Sequence, residues 1–159
     1  MDKSGLSELY DRHSGSVYRL AYAMCRNKAD AEDIMQDTFI RLLGADISFP
    51  DERSEKAWLM KVCANRCRDM FRSLSYRRQL NSVQLDEAGL YCETPEESRV
   101  FEAVMSLPQS YRIAVHLYYY EGYTIREIAG ILGKTETAVQ TRLYRARKML
   151  RDILKEELT

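Results

Sequence analysis

Residues 122–151, GYTIREIAGILGKTETAVQTRLYRARKMLR, decide the fold of the C-terminal part of the chain. Two short amphipathic segments flank the turn Gly133-Lys134-Thr135, and apolar residues recur in each at the i, i+3, i+4, i+7 spacing of one helix face. Gly133 can adopt the positive φ that ends a helix, and Thr135 is a good N-cap for the next one. The pattern predicts a helix-turn-helix, whose second helix can enter a DNA major groove. The two apolar stripes are Ile125, Ile128, Ala129 and Leu132, then Val139, Leu143, Ala146 and Leu150.

The charges of the chain are balanced overall but separated along the sequence. Formal net charge is zero, with 30% charged residues, which at first argues against a nucleic-acid binder. Basic residues, however, dominate 134–151, whereas acidic residues gather in 30–37 and 86–97. A basic region can bind DNA while an acidic region binds a basic partner, so the distribution matters more than the sum.

The sequence lacks the signals of secretion and of membrane insertion. Residues 1–20 do not have the basic-then-apolar design of a signal peptide, and no apolar run reaches the length of a membrane span. We therefore expect a cytoplasmic protein with no membrane insertion of its own. The cysteines are expected to be reduced thiols rather than a disulfide framework. They are Cys25, Cys63, Cys67 and Cys92.

Three amphipathic helices are predicted in the first half of the chain. Their predicted ranges are 5–26, 29–43 and about 54–73. Asn27 or Asp30 lies near the start of the second helix, and Ser54 is the expected N-cap of the third. Residues 45–53 contain a proline and no helical period, so we expect them to form a loop.

A polar and acidic segment, 81–96, separates these helices from the rest and is expected to be a linker. After it, Thr94-Pro95 opens a helix and Leu107-Pro108 separates that helix from another over 109–121. No β alternation is present. The predicted fold class is therefore all-α, with two small helical domains joined by a flexible acidic linker and the helix-turn-helix in the C-terminal one. The predicted domains are 1–80 and 97–159.

Three motifs in the chain resemble those of bacterial sigma factors, the promoter-recognising subunits of RNA polymerase. Residues 31–39 (AEDIMQDTF) resemble their polymerase-binding helix, and residues 57–72, from Ala-Trp-Leu to Arg72, resemble their promoter-melting helix. Residues 107–112 (LPQSYR), 127–129 (EIA) and 145–147 (RAR) resemble their C-terminal helix-turn-helix domain. The order, the spacing and the acidic linker are similar to the small extracytoplasmic-function (ECF) group, which keeps only these two domains. The resemblance covers nearly the whole chain.

The resemblance implies that the helix at 31–39 docks on the clamp helices of the polymerase largest subunit through charge-assisted bonds. Asp33, Gln36 and Asp37 share one helix face by their i, i+3, i+4 spacing, opposite apolar residues that include Leu43. The alternative for these side chains is a solvated face without a partner. The implied polymerase-binding residues are Asp33, Gln36, Asp37 and Phe39.

The resemblance also implies that the N-terminal domain recognises and opens the minus-ten element, with a pocket for a flipped base between Phe49 and Asn65. Phe49 offers an aromatic surface and Asn65 an amide that can read a base edge. Alternatively, Phe49 anchors the loop on the core. Trp58 is expected to pack in the core. The implied minus-ten residues are Phe49, Met60, Lys61, Asn65, Arg66, Arg68 and Arg72.

The second helix of the helix-turn-helix is expected to read the duplex minus-thirty-five element through the residues off its apolar stripe. Its basic end, at Arg147, Lys148 and Arg151, is expected mainly to hold phosphate. Lys134 stands where sigma factors usually have an apolar residue. Its aliphatic stem covers the same surface, or its ammonium contacts phosphate. The candidate minus-thirty-five residues are Thr135, Glu136, Thr137, Gln140, Thr141, Arg142, Arg145 and Lys148.

Other patterns in the sequence that resemble catalytic, nucleotide-binding or metal sites are incomplete. Gly133-Lys134-Thr135 resembles the end of a P-loop, but the first glycine of that motif is replaced by Ile128. Cys63 and Cys67 share a helix face, yet no second pair completes a metal site. We expect no catalytic residue, because His13 and His116 are isolated on helices and stand apart from any nucleophile. The resemblance implies that catalysis belongs to the polymerase, so we expect no metal or cofactor either.

Two other functions are alternatives to the sigma-factor interpretation, and the sequence disfavours the second of them. The first is a stand-alone helix-turn-helix regulator, and the second is a nucleotide-using enzyme. The resemblance implies core RNA polymerase, promoter DNA and an anti-sigma factor as partners. The promoter sequence, the inducing signal and the identity of the anti-sigma factor are not encoded in any recognisable motif.

Overall fold

The computed structural model describes residues 3–72 and 94–157. Every regular element in these ranges is helical, so the all-α prediction is confirmed. The chain divides into an N-terminal unit, 1–83, and a C-terminal unit, 84–159. Most of the predicted linker, 81–93, lies outside the described residues, so its boundaries stay a prediction. The helices are α1 (Lys3–Cys25), α2 (Lys28–Gly44), α3 (Glu52–Phe71), α4 (Pro95–Met105), α5 (Gln109–Val115), α6 (Ile125–Leu132) and α7 (Glu136–Glu157).

The described residues of the N-terminal unit form a three-helix bundle in which each helix buries one face against the other two. Burying a large apolar side chain stabilises a fold by roughly 1.5–3 kcal/mol, so this core supplies most of the driving force for the bundle. None of the described helices in either unit is long and apolar enough to cross a membrane. The bundle core includes Val17, Leu20, Met24, Ile34, Leu42, Leu59, Met60 and Cys63.

The connection between α1 and α2 is only two residues long, and local chemistry explains its turn. Arg26 adopts a left-handed conformation, with φ +55°, and its N–H donates to the Tyr22 carbonyl at 2.8 Å. The side chain of Asn27 then accepts from the Asp30 N–H at 3.0 Å. Asn27 is therefore the N-cap of α2, and this resolves the choice between Asn27 and Asp30.

The start of α3 differs from the prediction. Ser54 is not the N-cap, because Asp51 takes that position in extended conformation and its carboxylate accepts from the Ser54 N–H at 2.7 Å. The helix consequently begins at Glu52. The hydrogen bond also lowers the pKa of Asp51, since it stabilises the charged carboxylate.

The C-terminal unit contains the predicted helix-turn-helix. Thr124 and Glu127 form a capping box at the start of α6, and Gly133 ends that helix with φ +64°. Thr135 caps α7 by accepting from the Ala138 N–H at 3.1 Å. The positive φ of Gly133 and the capping role of Thr135 are confirmed.

The helix predicted over 109–121 is divided. It is α-helical over Gln109–Val115 and π-helical over His116–Tyr120. Arg112, which lies in the LPQSYR motif, is 1% exposed and donates to the Leu107 carbonyl at 2.9 Å. This buried guanidinium joins α5 to the end of α4 and has a structural role that the sequence did not indicate.

The N-cap carboxylate of Asp51 generates a test of how α3 begins. Asp51→Ala is expected to lower the melting temperature of the N-terminal unit at pH 7, because an N–H at the start of α3 loses its acceptor. The pKa of Asp51 is lowered in the folded state, so its contribution is complete above the ordinary aspartate value of about 3.9 and is lost as the pH falls through the lower folded value.

The measurement is fluorescence of Trp58, the single tryptophan of the chain, which lies on α3. The stability difference between wild type and Asp51→Ala should shrink in acid. Asp51→Asn is the control, since its amide oxygen can still accept but does not titrate. A difference that stays constant down to the lowest pH would contradict this role of the carboxylate.

Candidate functional site

The outward side of α2 carries the predicted polymerase-binding residues, but not all of them are accessible. Asp33 and Gln36 are exposed. Phe39 is only 5% exposed and packs edge-on against the Tyr10 ring, with 5.0 Å between ring centroids. The side chain belongs to the bundle core, and its contact with a partner stays a prediction.

Two apolar residues of α2 lie at the surface instead. Ile40 is 61% exposed and Leu43 is 54% exposed, so the prediction that Leu43 faces the core is wrong. Ile40 follows Asp33 and Gln36 by seven and four residues, which places the three on one helix face. We call Asp33, Gln36, Ile40 and Leu43 the α2 outer face. Mixed apolar and polar surface of this kind is typical of protein-binding sites.

Asp37 lies beside the α2 outer face but is engaged within the chain. Its Oδ2 atom lies 2.7 Å from Nε of Arg66 on α3 and 3.3 Å from Nε of Arg41. Nearby, partial burial raises the pKa of Asp30, and the charge of Asp33 adds to this rise. Asp30, at the start of α2, is partly buried, whereas Asp37, in the middle of the helix, lies beside two arginines. The two carboxylates therefore have different environments, although they lie in the same acidic segment of the sequence.

The predicted minus-ten residues lie mostly along one stripe of α3. Trp58, Lys61, Asn65, Arg68 and Arg72 are separated by three or four residues, so they project from the same side of the helix. Lys61, Asn65 and Arg72 are exposed, and Arg68 donates a hydrogen bond to the Asn65 side chain. We call these five residues the α3 stripe. Because it joins basic groups to an amide and an aromatic ring, it suits single-stranded nucleic acid.

An aromatic pair stands at the N-terminal end of the α3 stripe. The rings of Phe49 and Trp58 are 5.9 Å apart between centroids, and both side chains are half-buried. The expected core packing of Trp58 is therefore only partial, because the residue is half-buried and lies beside Phe49. The structure therefore places the Phe49 ring in contact with the Trp58 ring.

Met60 and Arg66 depart from the expected DNA-binding set. Met60 is fully buried in the bundle core, and its contact with DNA stays a prediction. Arg66 lies off the α3 stripe and pairs with Asp37. Met60 is two residues from Trp58 and five from Asn65, and a helix of 3.6 residues per turn directs it away from both.

The second helix of the helix-turn-helix, α7, exposes the side that the sequence predicts for DNA. Val139, Leu143 and Ala146 are fully buried, which confirms the apolar stripe. Tyr144 is 66% exposed and lies on the opposite side, a residue absent from the predicted set. The i, i+4, i+7 spacing of Thr137, Thr141 and Tyr144 would have indicated it. We call the exposed side the α7 outer face, formed by Thr137, Gln140, Thr141, Tyr144, Arg145 and Lys148.

The remaining members of the predicted set lie around the α7 outer face. Thr135 and Glu136 are exposed at the start of the helix, where Thr135 also caps it, and Arg142 is half-buried. Lys134 is exposed in the turn. These positions leave Glu136 and Lys134 open to solvent beside the face and make Arg142 the least accessible of the set.

Arg147 is engaged with two tyrosines of the π-helical turn. Its Nε donates to the Tyr119 hydroxyl at 2.6 Å, and its guanidinium lies 5.7 and 5.6 Å from the ring centroids of Tyr118 and Tyr119. That Arg147 mainly holds phosphate stays a prediction. The guanidinium joins α7 to the π-helical turn.

An apolar groove of about 480 Å³ lies in the C-terminal unit between α4, the π-helical turn and the end of α7. Arg147 and Arg151 are its charged members, and no acidic side chain lines it. The sequence did not indicate this groove, because its walls come from three separate segments. The apolar lining residues are Val100, Val104, Val115, Tyr119, Tyr120, Leu150 and Leu154.

The cysteines and histidines of the described residues have structural surroundings. Cys25, Cys63 and Cys67 are buried free thiols, and burial raises the pKa of Cys67 well above its ordinary value. Residues 3–72 and 94–157 contain no group of histidine, cysteine and acidic side chains arranged to hold a metal. Nε2 of His13 lies 2.9 Å from Oε1 of Glu55, and Nε2 of His116 lies 3.4 Å from Oε1 of Glu121.

Comparison with protein-family models places both units in one family. The model of sigma-70 region 2 matches residues 9–77, and that of sigma-70 region 4 matches residues 98–150. The α2 outer face and the α3 stripe lie in the first match. The α7 outer face lies in the second.

Characterised relatives match along nearly the whole chain. The ECF RNA polymerase sigma factor SigL of Mycobacterium tuberculosis is 30% identical over 161 residues, covering 93% of this chain and 88% of SigL. The ECF sigma factor BldN of Streptomyces coelicolor is 30% identical, and the match covers 98% of this chain and 62% of BldN. SigE of Mycolicibacterium smegmatis is 33% identical, and the match covers 92% of this chain and 60% of SigE. The chain thus spans about three fifths of the length of BldN and SigE.

Solved structures of similar fold include CnrH in complex with the cytosolic domain of CnrY, with a TM-score of 0.70 and 25% identity over 98% of this chain and 90% of CnrH. The sigma factor RpoE of Bartonella quintana, in complex with the anti-sigma factor NepR, has a TM-score of 0.67 and 21% identity, with 96% of each chain covered. The family matches and the relatives lead to one conclusion. The chain belongs to the ECF family of RNA polymerase sigma factors.

Proposed function

We propose that this protein binds core RNA polymerase and directs it to promoters, where it takes part in opening the DNA. The observation that carries the proposal is that three sets of exposed or half-buried residues, suited to three different targets, lie on separate helices. They are the α2 outer face, the α3 stripe and the α7 outer face. Catalysis of RNA synthesis would belong to the polymerase, so the protein would act without a catalytic residue, metal or cofactor of its own.

The α2 outer face is the proposed polymerase-binding surface. Ile40 and Leu43 supply exposed apolar area, which favours association, while Asp33 and Gln36 supply polar groups that select a basic partner. Two adjacent exposed aliphatic residues on a charged helix are unusual for a purely solvated face. They favour docking over the solvated alternative that the sequence left open.

The α3 stripe, with Phe49, is the proposed site for separated minus-ten DNA. Opening requires that a base leave the stack, and the base gains a new surface to stack on at the Phe49–Trp58 pair. Asn65 can hydrogen-bond a base edge, and Lys61 and Arg72 can attract phosphates. The stripe thus combines groups that hold the backbone with groups that contact bases.

The α7 outer face is the proposed reader of the duplex minus-thirty-five element. Thr137, Gln140 and Thr141 offer short hydrogen-bonding groups near the start of the helix, the part that enters the groove in a helix-turn-helix. Arg145 can bond guanine or phosphate, and the Tyr144 ring can contact the thymine methyl group. We propose that Glu136 and Lys134 contact the DNA beside this face.

We also propose an anti-sigma factor as a regulatory partner and the cytoplasm, where the polymerase works, as the site of action. CnrH, which is similar in fold, was solved with the cytosolic domain of CnrY. Burial of the apolar lining of the groove in the C-terminal unit would favour binding of a protein partner there.

The alternative function is that of a stand-alone helix-turn-helix regulator. It accounts for α6 and α7 but gives no role to the exposed Ile40 and Leu43 or to the α3 stripe. Run-off transcription with purified protein, core polymerase and a promoter library separates the two. Promoter-dependent RNA supports the sigma-factor proposal. DNA binding without polymerase, and no added RNA with it, would support the regulator.

The α2 outer face generates a prediction about polymerase binding. Replacing Asp33 and Gln36 together by Lys should weaken binding to core polymerase by about 2 kcal/mol or more, which is roughly 30-fold, because like charges are brought together. Binding is measured by retention on immobilised core polymerase over a range of protein concentrations. The matched control is Asp11→Lys, which reverses an exposed acidic residue on α1.

Equal loss of retention in the Asp11→Lys control would mean that net charge, not the α2 outer face, governs binding. Unchanged retention of the double variant would contradict the proposed polymerase surface. Circular dichroism of each variant checks that the helical fold is intact.

The α7 outer face generates a prediction about duplex recognition. Tyr144→Ala and Arg145→Ala should each weaken binding of the protein–polymerase complex to promoter duplex, by about 1–3 kcal/mol for Arg145, because base or phosphate contacts are lost. Lys155→Ala is the control. It removes a charge from the same helix roughly 15 Å farther along.

The measurement is equilibrium binding to labelled duplex at fixed salt concentration. If Lys155→Ala weakens binding as much as Arg145→Ala does, general charge rather than the α7 outer face holds the DNA. If none of the three variants changes binding, α7 does not contact the duplex.

A further inference from the structure

One hydrogen bond within the α3 stripe fixes the direction of an exposed amide. Nη2 of Arg68 donates to Oδ1 of Asn65, and the two residues are three positions apart on α3, so they lie on the same side of the helix. Arg68 is half-buried and Asn65 is exposed. Among the described residues, the NH2 group of Asn65 donates no hydrogen bond, so it is available to a ligand.

The chemistry of the pair decides which end of the amide faces Arg68. A guanidinium has only N–H donors, whereas the asparagine amide has an oxygen that accepts at one end and an NH2 group that donates at the other. Rotating the amide by half a turn would bring two donors together and remove the acceptor from the guanidinium. Arg68 therefore holds Asn65 with its oxygen beside the guanidinium.

This orientation matters because an unrestrained amide does not distinguish two classes of base. A free asparagine can turn its oxygen to the amino group of adenine or cytosine, or its NH2 group to the carbonyl oxygen of thymine or guanine. When the oxygen is held by Arg68, the NH2 group still donates to a carbonyl-bearing base. A base amino group that approaches Oδ1 also meets the positive charge of Arg68, so its contact is weakened.

We propose that Arg68 is a positioning residue that makes Asn65 selective for a base with an exocyclic carbonyl, thymine or guanine, over a base with an exocyclic amino group. Arg68 acts through the orientation of the Asn65 amide, separately from any attraction of its own for phosphate. This inference rests on the proposed function, because it requires that the α3 stripe bind the separated minus-ten strand.

The test uses the full chain assembled with core polymerase and labelled non-template-strand oligonucleotides from a promoter that run-off transcription has identified. Each minus-ten position is substituted by two matched pairs of bases, uracil with cytosine and hypoxanthine with adenine. Each pair keeps the ring size constant and exchanges a carbonyl for an amino group. The position that Asn65 contacts is the one at which Asn65→Ala removes the dependence on the base. There, wild type should bind the carbonyl member of each pair about fivefold more tightly, because one hydrogen bond is gained.

Arg68→Ala separates selection of the base from general attraction of the strand. It frees the Asn65 amide to rotate, so the preference at that position should fall below about twofold, whereas loss of a phosphate contact alone would weaken binding of every oligonucleotide by the same factor. Arg68→Lys retains donors without an acceptor and should keep at least half of the preference on a logarithmic scale. Arg72→Ala, the matched control, removes an exposed guanidinium from the α3 stripe and should leave the ratio within each pair unchanged. Circular dichroism checks that each variant is folded.

A carbonyl preference that persists unchanged in Arg68→Ala would overturn the proposal, and so would a wild-type preference for the amino member of each pair. If Asn65→Ala alters the base dependence at no position while the wild-type complex makes promoter-dependent RNA, the sigma-factor proposal stands and the positioning role is rejected. Failure of the proposed function has a different signature, because the wild-type complex then makes no promoter-dependent RNA and retains no strand.

Discussion

Burial of a single apolar stripe on each of α2, α3 and α7 is the constraint on which the rest of the structure depends. In a helix of 3.6 residues per turn, fixing one side against a core determines which residues lie on the other. Ile34, Met60 and Leu143 are fully or almost fully buried, and their burial turns the opposite sides of their helices to solvent. The three surfaces proposed for polymerase, open DNA and duplex DNA are the consequence of this packing. Their side chains add little stability themselves.

The same constraint explains which features could be predicted from the sequence. A local signal was sufficient for Gly133, whose lack of a Cβ permits φ +64°, whereas the choice between Asn27 and Asp30 as the cap of α2 required the structure. Helical spacing was sufficient for the buried side of α7. Ser54 was mistaken for a cap because Asp51, three residues earlier, competes for the same role and has the better acceptor.

Features that depend on packing across the chain could not be predicted. Periodicity gives the direction of a buried stripe but not its width, so the sequence places Leu43 opposite Asp33 and Gln36 although it is exposed. The Arg66–Asp37 bond joins residues 29 positions apart, and the Arg147–Tyr119 bond joins residues 28 apart. No local pattern indicates such pairs, and both change the role that a charged residue can have.

Site-specific photocrosslinking tests the central claim most directly, that the exposed sides of α2, α3 and α7 meet three different targets. A photoreactive amino acid would replace Ile40, Asn65 or Tyr144 in protein assembled with core polymerase on promoter DNA. Our account predicts crosslinks from position 40 to a polymerase subunit, from position 65 to the separated strand near minus ten, and from position 144 to the upstream duplex. Crosslinks from position 40 to DNA, or from position 144 to the separated strand, would contradict it.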